Sequence, residues 1–162
     1  KLWQLNEAKK IGFSIPVTHA LANCRLMPEE MKGYIYKSIS SVRSIVDHVK
    51  YNTQKQVHEP VVFQPDMGRV NIRVHVIGKR CFAVKVLSPS VDYRYGSSAP
   101  LVISYALPAQ IQMLCCRLTE HMGLLFSGID LIRQHTQYYF LEINPSPGYA
   151  YYEQQNKNLV YK

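Results

Sequence analysis

The sequence predicts an α+β domain built mainly on antiparallel sheet. Residues 70–77 and 81–88 are two β-branched runs around Gly78-Lys79-Arg80, the signature of a hairpin. Residues 124–132 and 138–143 read as a second hairpin around Gln134–Gln137. Between them, near 108–122, apolar residues recur at helical spacing. The order of elements is mixed, which places the chain in the α+β class.

The elements follow in chain order. Leu2, Leu5, Ala8 and Ile11 recur at helical spacing over residues 2–12, and Gly12 ends that helix. Ile15-Pro16-Val17-Thr18 is extended, and Gly33–Lys37 is a short strand ending on a lysine. Ser38–Ser44 is rich in small hydroxyls and carries Arg43, while residues 50–60 form a polar connection. Pro60–Pro65 is an apolar strand stopped by proline. In the first hairpin Val70, Ile72, Val74 and Val76 share the core face, leaving Asn71, Arg73 and His75 as an ordered polar row on the other. Residues 89–100, with Asp92-Tyr93-Arg94, make a polar and aromatic loop. Pro108 suits the first turn of the long helix and Gly123 stops it. Its apolar stripe is Ile111, Leu114, Cys115, Leu118 and Met122.

Composition bounds the function. A chain of 162 residues is about one domain, and 47% hydrophobic with 19% charged residues excludes disorder and fibrous repeats. No run approaches 18 uncharged apolar residues, so no membrane-spanning helix is expected. The opening Lys1-Leu2-Trp3-Gln4 has neither an apolar signal core nor an initiator Met, so we expect a domain cut from a longer, cytoplasmic chain. Nineteen basic against eleven acidic residues give +8, which favours an anionic partner. Cys24, Cys81, Cys115 and Cys116 lack CxxC spacing and read as buried thiols in a reducing compartment.

The second hairpin carries the chemistry. A loop of three or five residues centred on Thr136 sets Ile132 opposite Phe140 and Asp130 opposite Glu142, and Asn144 stays on that face. Two carboxylates and an amide then meet at one end of an apolar surface. Left alone the carboxylates repel, whereas Mg²⁺ takes oxygen ligands from one or two carboxylates and substrate phosphates. Solvated surface acids could also sit on such a hairpin. The Asn-Pro-Ser-Pro-Gly run directly after them fixes the backbone and favours a built site. Arg73, Arg94 and Lys37 could each be a solvated charge alone, but together with the acid cluster they fit a polyphosphate clamp.

These residues resemble a known family. Phe140–Tyr149, preceded by Gly128-Ile129-Asp130-Leu131, is similar to the C-terminal metal hairpin of the ATP-grasp ligases. The similarity is to the branch of ribosomal-protein-modifying glutamate ligases and glutathione synthase, including graspetide-type peptide macrocyclases. Earlier blocks resemble that family in its order: Gly12-Phe13-Ser14-Ile15-Pro16, Tyr36-Lys37-Ser38, Val62-Phe63-Gln64-Pro65, Val70–Val74 with Gly78, and Asp92-Tyr93-Arg94. The resemblance implies two α+β subdomains with antiparallel sheets gripping a nucleotide. The smaller spans residues 1–66 and the C-terminal one residues 67–162. It also implies an N-terminal domain ahead of the first helix, which these residues do not include.

By the same resemblance the activity is ATP-dependent ligation of a carboxylate to an amine or hydroxyl through an acylphosphate. The substrate is an amino acid, protein or precursor peptide. Asp130, Glu142 and Asn144 then hold Mg²⁺, with two ions. Lys37 and Lys1 neutralise the polyphosphate, and the backbone around Gln64, Pro65, Asp66 and Met67 holds adenine. Arg73 and Arg94 face the transferring phosphoryl group and the tetrahedral intermediate.

The sequence also departs from the family. Pro65 replaces the hinge glutamate, and Asn71 replaces the acid that would contact ribose or metal. Ser38–Ser44 replaces the glycine-rich loop, where Arg43 is either a substitute phosphate donor or a solvated charge. Two other classes stay open. One is a degenerate ATP-grasp domain used for binding only. The other is a basic nucleic-acid-binding module, which twelve tyrosines on a positive chain permit but which leaves the acid cluster unexplained. No membrane partner is expected, and a homo-oligomer is compatible with the sequence.

Overall fold

A computed structural model describes residues 1–22, 33–39, 46–48, 60–68, 70–88 and 100–152. The expected Arg43 and Arg94, the Asp92-Tyr93-Arg94 loop and Cys24 lie outside these residues. The chain runs α1 (Leu2–Ile11), β1 (His19–Leu21), β2 (Tyr34–Ser38), β3 (Val46–His48), β4 (Val61–Pro65), β5 (Val70–Ile77), β6 (Arg80–Leu87), β7 (Leu101–Ser104), α2 (Ala109–His121), β8 (Phe126–Gln134) and β9 (Gln137–Asn144). β1, β3 and β7 are short strands that apolar periodicity did not announce. Among the described residues no helix is long and apolar enough to cross a membrane.

The strands form two sheets. One is four-stranded in the order β1-β4-β2-β3, the other five-stranded in the order β7-β6-β5-β8-β9, and every strand pair is antiparallel. The 66–69 segment joins β4 of one sheet to β5 of the other.

Both helices lie on one face of the larger sheet. Leu5 and Ala8 of α1 and Cys115 and Leu118 of α2 pack with Ile72, Val74, Val76, Ile129, Leu131, Phe140 and Ile143 in one core. α1 can end where it does because Gly12 takes φ 116°, a left-handed conformation only glycine adopts cheaply. Its amide then caps the carbonyls of Ala8 and Lys9. The chain turns at once, Phe13 meets Phe140 with ring centroids 5.6 Å apart, and Phe140 donates its amide to the Ser14 carbonyl at 2.8 Å. Glu7 clasps the two helices, accepting from Lys10 Nζ and His121 Nε2, both at 2.8 Å. These contacts hold its carboxyl below the usual range, the Lys10 hydrogen bond most.

The second hairpin differs from expectation in its turn. His135-Thr136 is a two-residue turn closed by Gln134 opposite Gln137, not a loop of three or five. Ile132 therefore faces Tyr139, and Phe140 faces Leu131. His135 adopts φ 55°, the left-handed conformation that tight hairpin turns demand. Without a glycine there, the sequence gives no sign of so short a turn.

That register alone would set Asp130 opposite Leu141. A β-bulge between Asp130 and Leu131 on the β8 side gives β9 one extra residue, and Asp130 pairs with Glu142 after all. The bulge also changes side-chain parity along β9. Phe140 and Ile143 both enter the helix-side core, while Glu142 and Asn144 face away from it. Phe140 thus does not share the face of Glu142, as simple alternation requires.

Candidate active site

The face of the larger sheet opposite the helices carries the candidate residues. Register arranges them in rows across β5, β8 and β9. Arg73, Asp130 and Glu142 lie side by side in one row, and His75, Gly128 and Asn144 in the next. Asn71, Ile132 and Tyr139 form a third row toward the hairpin turn. Residues directly opposite one another share a face, so three strands deliver one acid–base cluster.

Arg73 is tied to Asp130. Its Nη1 donates to both carboxylate oxygens at 2.7 Å, with the Arg73 side chain 8% and the Asp130 side chain 23% exposed. The guanidinium also lies over the Tyr152 ring, 5.7 Å from its centroid, a cation–π geometry. Asn144 Nδ2 donates to Glu142 Oε1 at 3.2 Å. The polar row expected on β5 is present, and its Arg73 and His75 are both buried.

Gly128 supplies the space for this arrangement. A Cβ there would stand 2.5 Å from Pro147 Cβ, 2.7 Å from Arg73 Nη2 and 2.9 Å from Arg73 Cζ. The missing side chain lets the guanidinium and the buried Pro147 ring lie on the strand backbone. A glycine inside a strand signals such a close approach, so Gly128 was readable in the Gly-Ile-Asp run.

His75 holds the segment that follows the ligands. Its Nε2 lies 3.3 Å from the Gly148 carbonyl, which only accepts, so the neutral ring carries its proton on Nε2. Its ring packs on Phe126 and Tyr152 at centroid distances of 6.2 and 5.4 Å. Burial, and next the Arg73 charge, push its pKa down to about 4. The ring is thus a neutral strut, and Tyr152 packs against the second cluster of Val84, Val86 and Val102.

The remaining candidates sit elsewhere. Lys37 is buried on β2, opposite Val46 and Val62. Lys1, at the start of α1, donates its Nζ to the carbonyl of Ser38 at 2.9 Å, which brings both expected phosphate lysines to the end of β2. Gln64 is buried and donates to Thr18 Oγ1 at 2.9 Å. Asp66 Oδ1 accepts from the Gly68 amide at 3.0 Å, and its own amide donates to the Gly33 carbonyl at 2.8 Å. Pro65 ends β4 and Met67 follows in the connection between the sheets. Lys85 lies opposite Ile72, which places it on the helix-covered face, away from the acids.

The donor chemistry fits a hard divalent cation. Asp130 and Glu142 offer carboxylate oxygens and Asn144 an amide, while Arg73 offsets one of the two negative charges. Among the described residues no group of three or more His, Cys, Asp or Glu is placed to hold a metal. Such a two-carboxylate set matches Mg²⁺, which leaves much of its coordination to water and phosphate.

Comparison with known proteins follows the same lines. The family model of the RimK-like ATP-grasp domain matches residues 37–160. No curated protein matches the sequence. Among solved structures, the ATP-grasp ligase PsnB complexed with a phosphomimetic variant of minimal precursor, Mg and ADP is 20% identical, with a TM-score of 0.78 over 99% of this chain and 54% of that one. Macrocyclase MdnC bound with precursor peptide MdnA, from Microcystis aeruginosa MRC, is 23% identical, with a TM-score of 0.70 over 95% and 55%. The D-alanine–D-alanine ligase of Bacillus anthracis is 15% identical, with a TM-score of 0.64 over 89% and 56%. The chain spans a little over half the length of these proteins.

Proposed function

The chain belongs to the RimK-like ATP-grasp family, and from that premise we propose that it is the nucleotide-binding, catalytic part of an ATP-dependent ligase. The reaction joins a carboxylate to an amine or hydroxyl. The observation that carries this reading is the Arg73–Asp130–Glu142 row with Asn144 beside it. The row gathers an arginine, two acids and an amide on one sheet face.

Asp130, Glu142 and Asn144 would hold Mg²⁺, up to two ions. Bound there, the cation would supply positive charge to offset that of the nucleotide phosphates. Lys37 and Lys1 meet the polyphosphate, and the backbone from Gln64 to Met67, with Asn71 beyond it, receives the nucleoside. Arg94, by family likeness, faces the transferring phosphoryl group with Arg73, and Arg43 would serve as a substitute phosphate donor where the family has its glycine-rich loop. Arg73 orients the transferring phosphoryl group, with the Tyr152 ring and the Gly128 gap limiting how far its guanidinium must move.

In the reaction a substrate carboxylate oxygen attacks the terminal phosphorus of ATP and ADP leaves, giving an acylphosphate. The amine or hydroxyl then attacks the acyl carbon, and phosphate departs as the nucleophile loses its proton. Such transfers depend on positioning and charge neutralisation more than on covalent help. PsnB and MdnC have each been solved in complex with a precursor peptide, which supports a peptide substrate here. Free thiols at Cys81, Cys115 and Cys116 support a reducing, cytoplasmic setting.

Calorimetric titration of the full-length protein with a non-hydrolysable ATP analogue, with and without Mg²⁺, tests the reading. Metal-dependent binding is the expected result. Absence of nucleotide binding under both conditions overturns it.

A further inference from the structure

We propose that Cys81 and Cys116 form a reversible disulfide that staples α2 to β6 behind the active-site sheet. Cys81 is the second residue of β6 and lies opposite Val76, so its thiol points toward the helices. Cys116 is on α2, 35 residues further along the chain, and the two sulfurs stand 3.6 Å apart. A disulfide requires about 2.05 Å between sulfurs, so closure needs a shift of roughly 1.5 Å, within reach of side-chain rotation at two facing cysteines.

Exposure selects this pair from three neighbouring thiols. Cys115 is fully buried, whereas Cys81 and Cys116 are both half-buried and open to a small oxidant. The pair is also chemically unequal. A hydrogen bond from Cys115 holds the Cys81 thiol down to about 7, and burial pushes Cys116 up to about 11. Cys81 is therefore the attacking thiolate at neutral pH and Cys116 the resolving thiol.

With hydrogen peroxide as oxidant, the Cys81 thiolate attacks one peroxide oxygen and the O–O bond breaks. Hydroxide leaves and takes up a proton to become water, and Cys81 becomes a sulfenic acid. The Cys116 sulfur, losing its proton, then attacks the Cys81 sulfur and expels the sulfenic oxygen as a second water. Two thiols lose two electrons and one peroxide is reduced to two waters. A dithiol reductant reverses the bond by exchange.

The test starts from the full-length, reduced protein. It is treated with hydrogen peroxide, quenched with N-ethylmaleimide, digested and analysed by mass spectrometry. The expected product is a Cys81–Cys116 cross-linked peptide, lighter than its two parts by two hydrogen atoms and lost on treatment with dithiothreitol. The thermal midpoint of the oxidised protein rises by roughly 5–10 °C, because the cross-link restricts the unfolded chain. In Cys116→Ser that rise disappears, and dimedone traps a sulfenic acid at Cys81. Sulfinic acid at Cys81 without a cross-link in the wild-type protein overturns the proposal. So does a predominant link from Cys81 to Cys115 or Cys24, whatever the variants do.

Discussion

Replacing Gly128 by alanine tests the architecture of the site most directly. The added methyl would stand 2.5 Å from Pro147 Cβ and 2.7 Å from Arg73 Nη2. Both distances are far inside van der Waals contact, so one neighbour must move. Arg73 is a long side chain, but its Nη1 is held at 2.7 Å by both oxygens of Asp130, and its guanidinium faces Tyr152. Pro147 carries its Cβ on a rigid ring, so shifting it shifts the backbone three residues beyond Asn144. Overpacking of this kind costs about 1–3 kcal/mol. For a chain of this length that is a fall of roughly 3–10 °C in thermal midpoint. The displacement also spreads Asp130, Glu142 and Asn144, so Mg²⁺-dependent ADP affinity drops about tenfold or more. Thermal unfolding and calorimetry of Gly128→Ala measure both. A midpoint within a degree of wild type, with unchanged Mg²⁺–ADP affinity, would refute the argument that Gly128 exists to seat Arg73 and Pro147.

Glu142→Gln keeps the fold, because its row neighbour Asp130 retains Arg73, and loses Mg²⁺-dependent turnover by on the order of 10²–10³. Unchanged turnover in that variant removes Glu142 from the metal set. His75→Gln changes the acid limb of stability. The folded chain holds His75 neutral down to about pH 4 while the unfolded chain takes up its proton near pH 6.5, so stability falls as pH drops between these values, by up to about 3 kcal/mol. Gln keeps a donor for the Gly148 carbonyl without titrating, so urea titrations of the variant show a flatter profile over that window; an unchanged slope contradicts a buried neutral His75. Arg73→Ala strengthens binding of Mn²⁺ alone, by about tenfold for a repulsion of roughly 1.4 kcal/mol, and weakens binding of the nucleotide. Parallel loss of both ligands would mean that Arg73 acts only through folding.

Much of this was legible in the residues. The two hairpins, the helices and the pairing of Asp130 with Glu142 follow from alternation, helical spacing and the family-like run after Phe140. The route to that pairing was not legible. It combines a turn one residue shorter than the shortest expected with a bulge one residue long, and the two offsets cancel. A left-handed His135 and an extra residue at Leu141 leave no compositional trace, since neither site needs glycine. β1, β3 and β7 are three or four residues long, too short for a period to show. Their stability comes from neighbouring strands, not from their own pattern. The burial of Arg73 and His75 was not readable for a related reason. Alternation says only that the row faces away from the core, and the segment after β9 covers it through the Gly148 carbonyl on His75 and the Tyr152 ring on Arg73.

The ion pair between Arg73 and Asp130 also joins the two roles proposed for these residues, a phosphoryl-facing arginine and a metal-facing acid. Two carboxylates opposite one another on adjacent strands raise each other's energy when nothing intervenes. Arg73 is the buried partner, so without Asp130 its charge would be left uncompensated, and that would cost stability. Pairing them lets the fold hold an arginine and two acids in position before any ligand arrives. The cluster of Arg73, Asp130 and Glu142 then carries one net negative charge, and on the proposed reading a cation with its nucleotide would exchange partners with the pair without exposing an uncompensated ion. On the proposed assignment Arg73 would turn from Asp130 to phosphate as Asp130 is taken up by the metal, so each charge would keep an opposite neighbour. Tyr152, His75 and the Gly128 gap limit how far the guanidinium must move, which keeps the exchange a matter of small rotations on a rigid sheet.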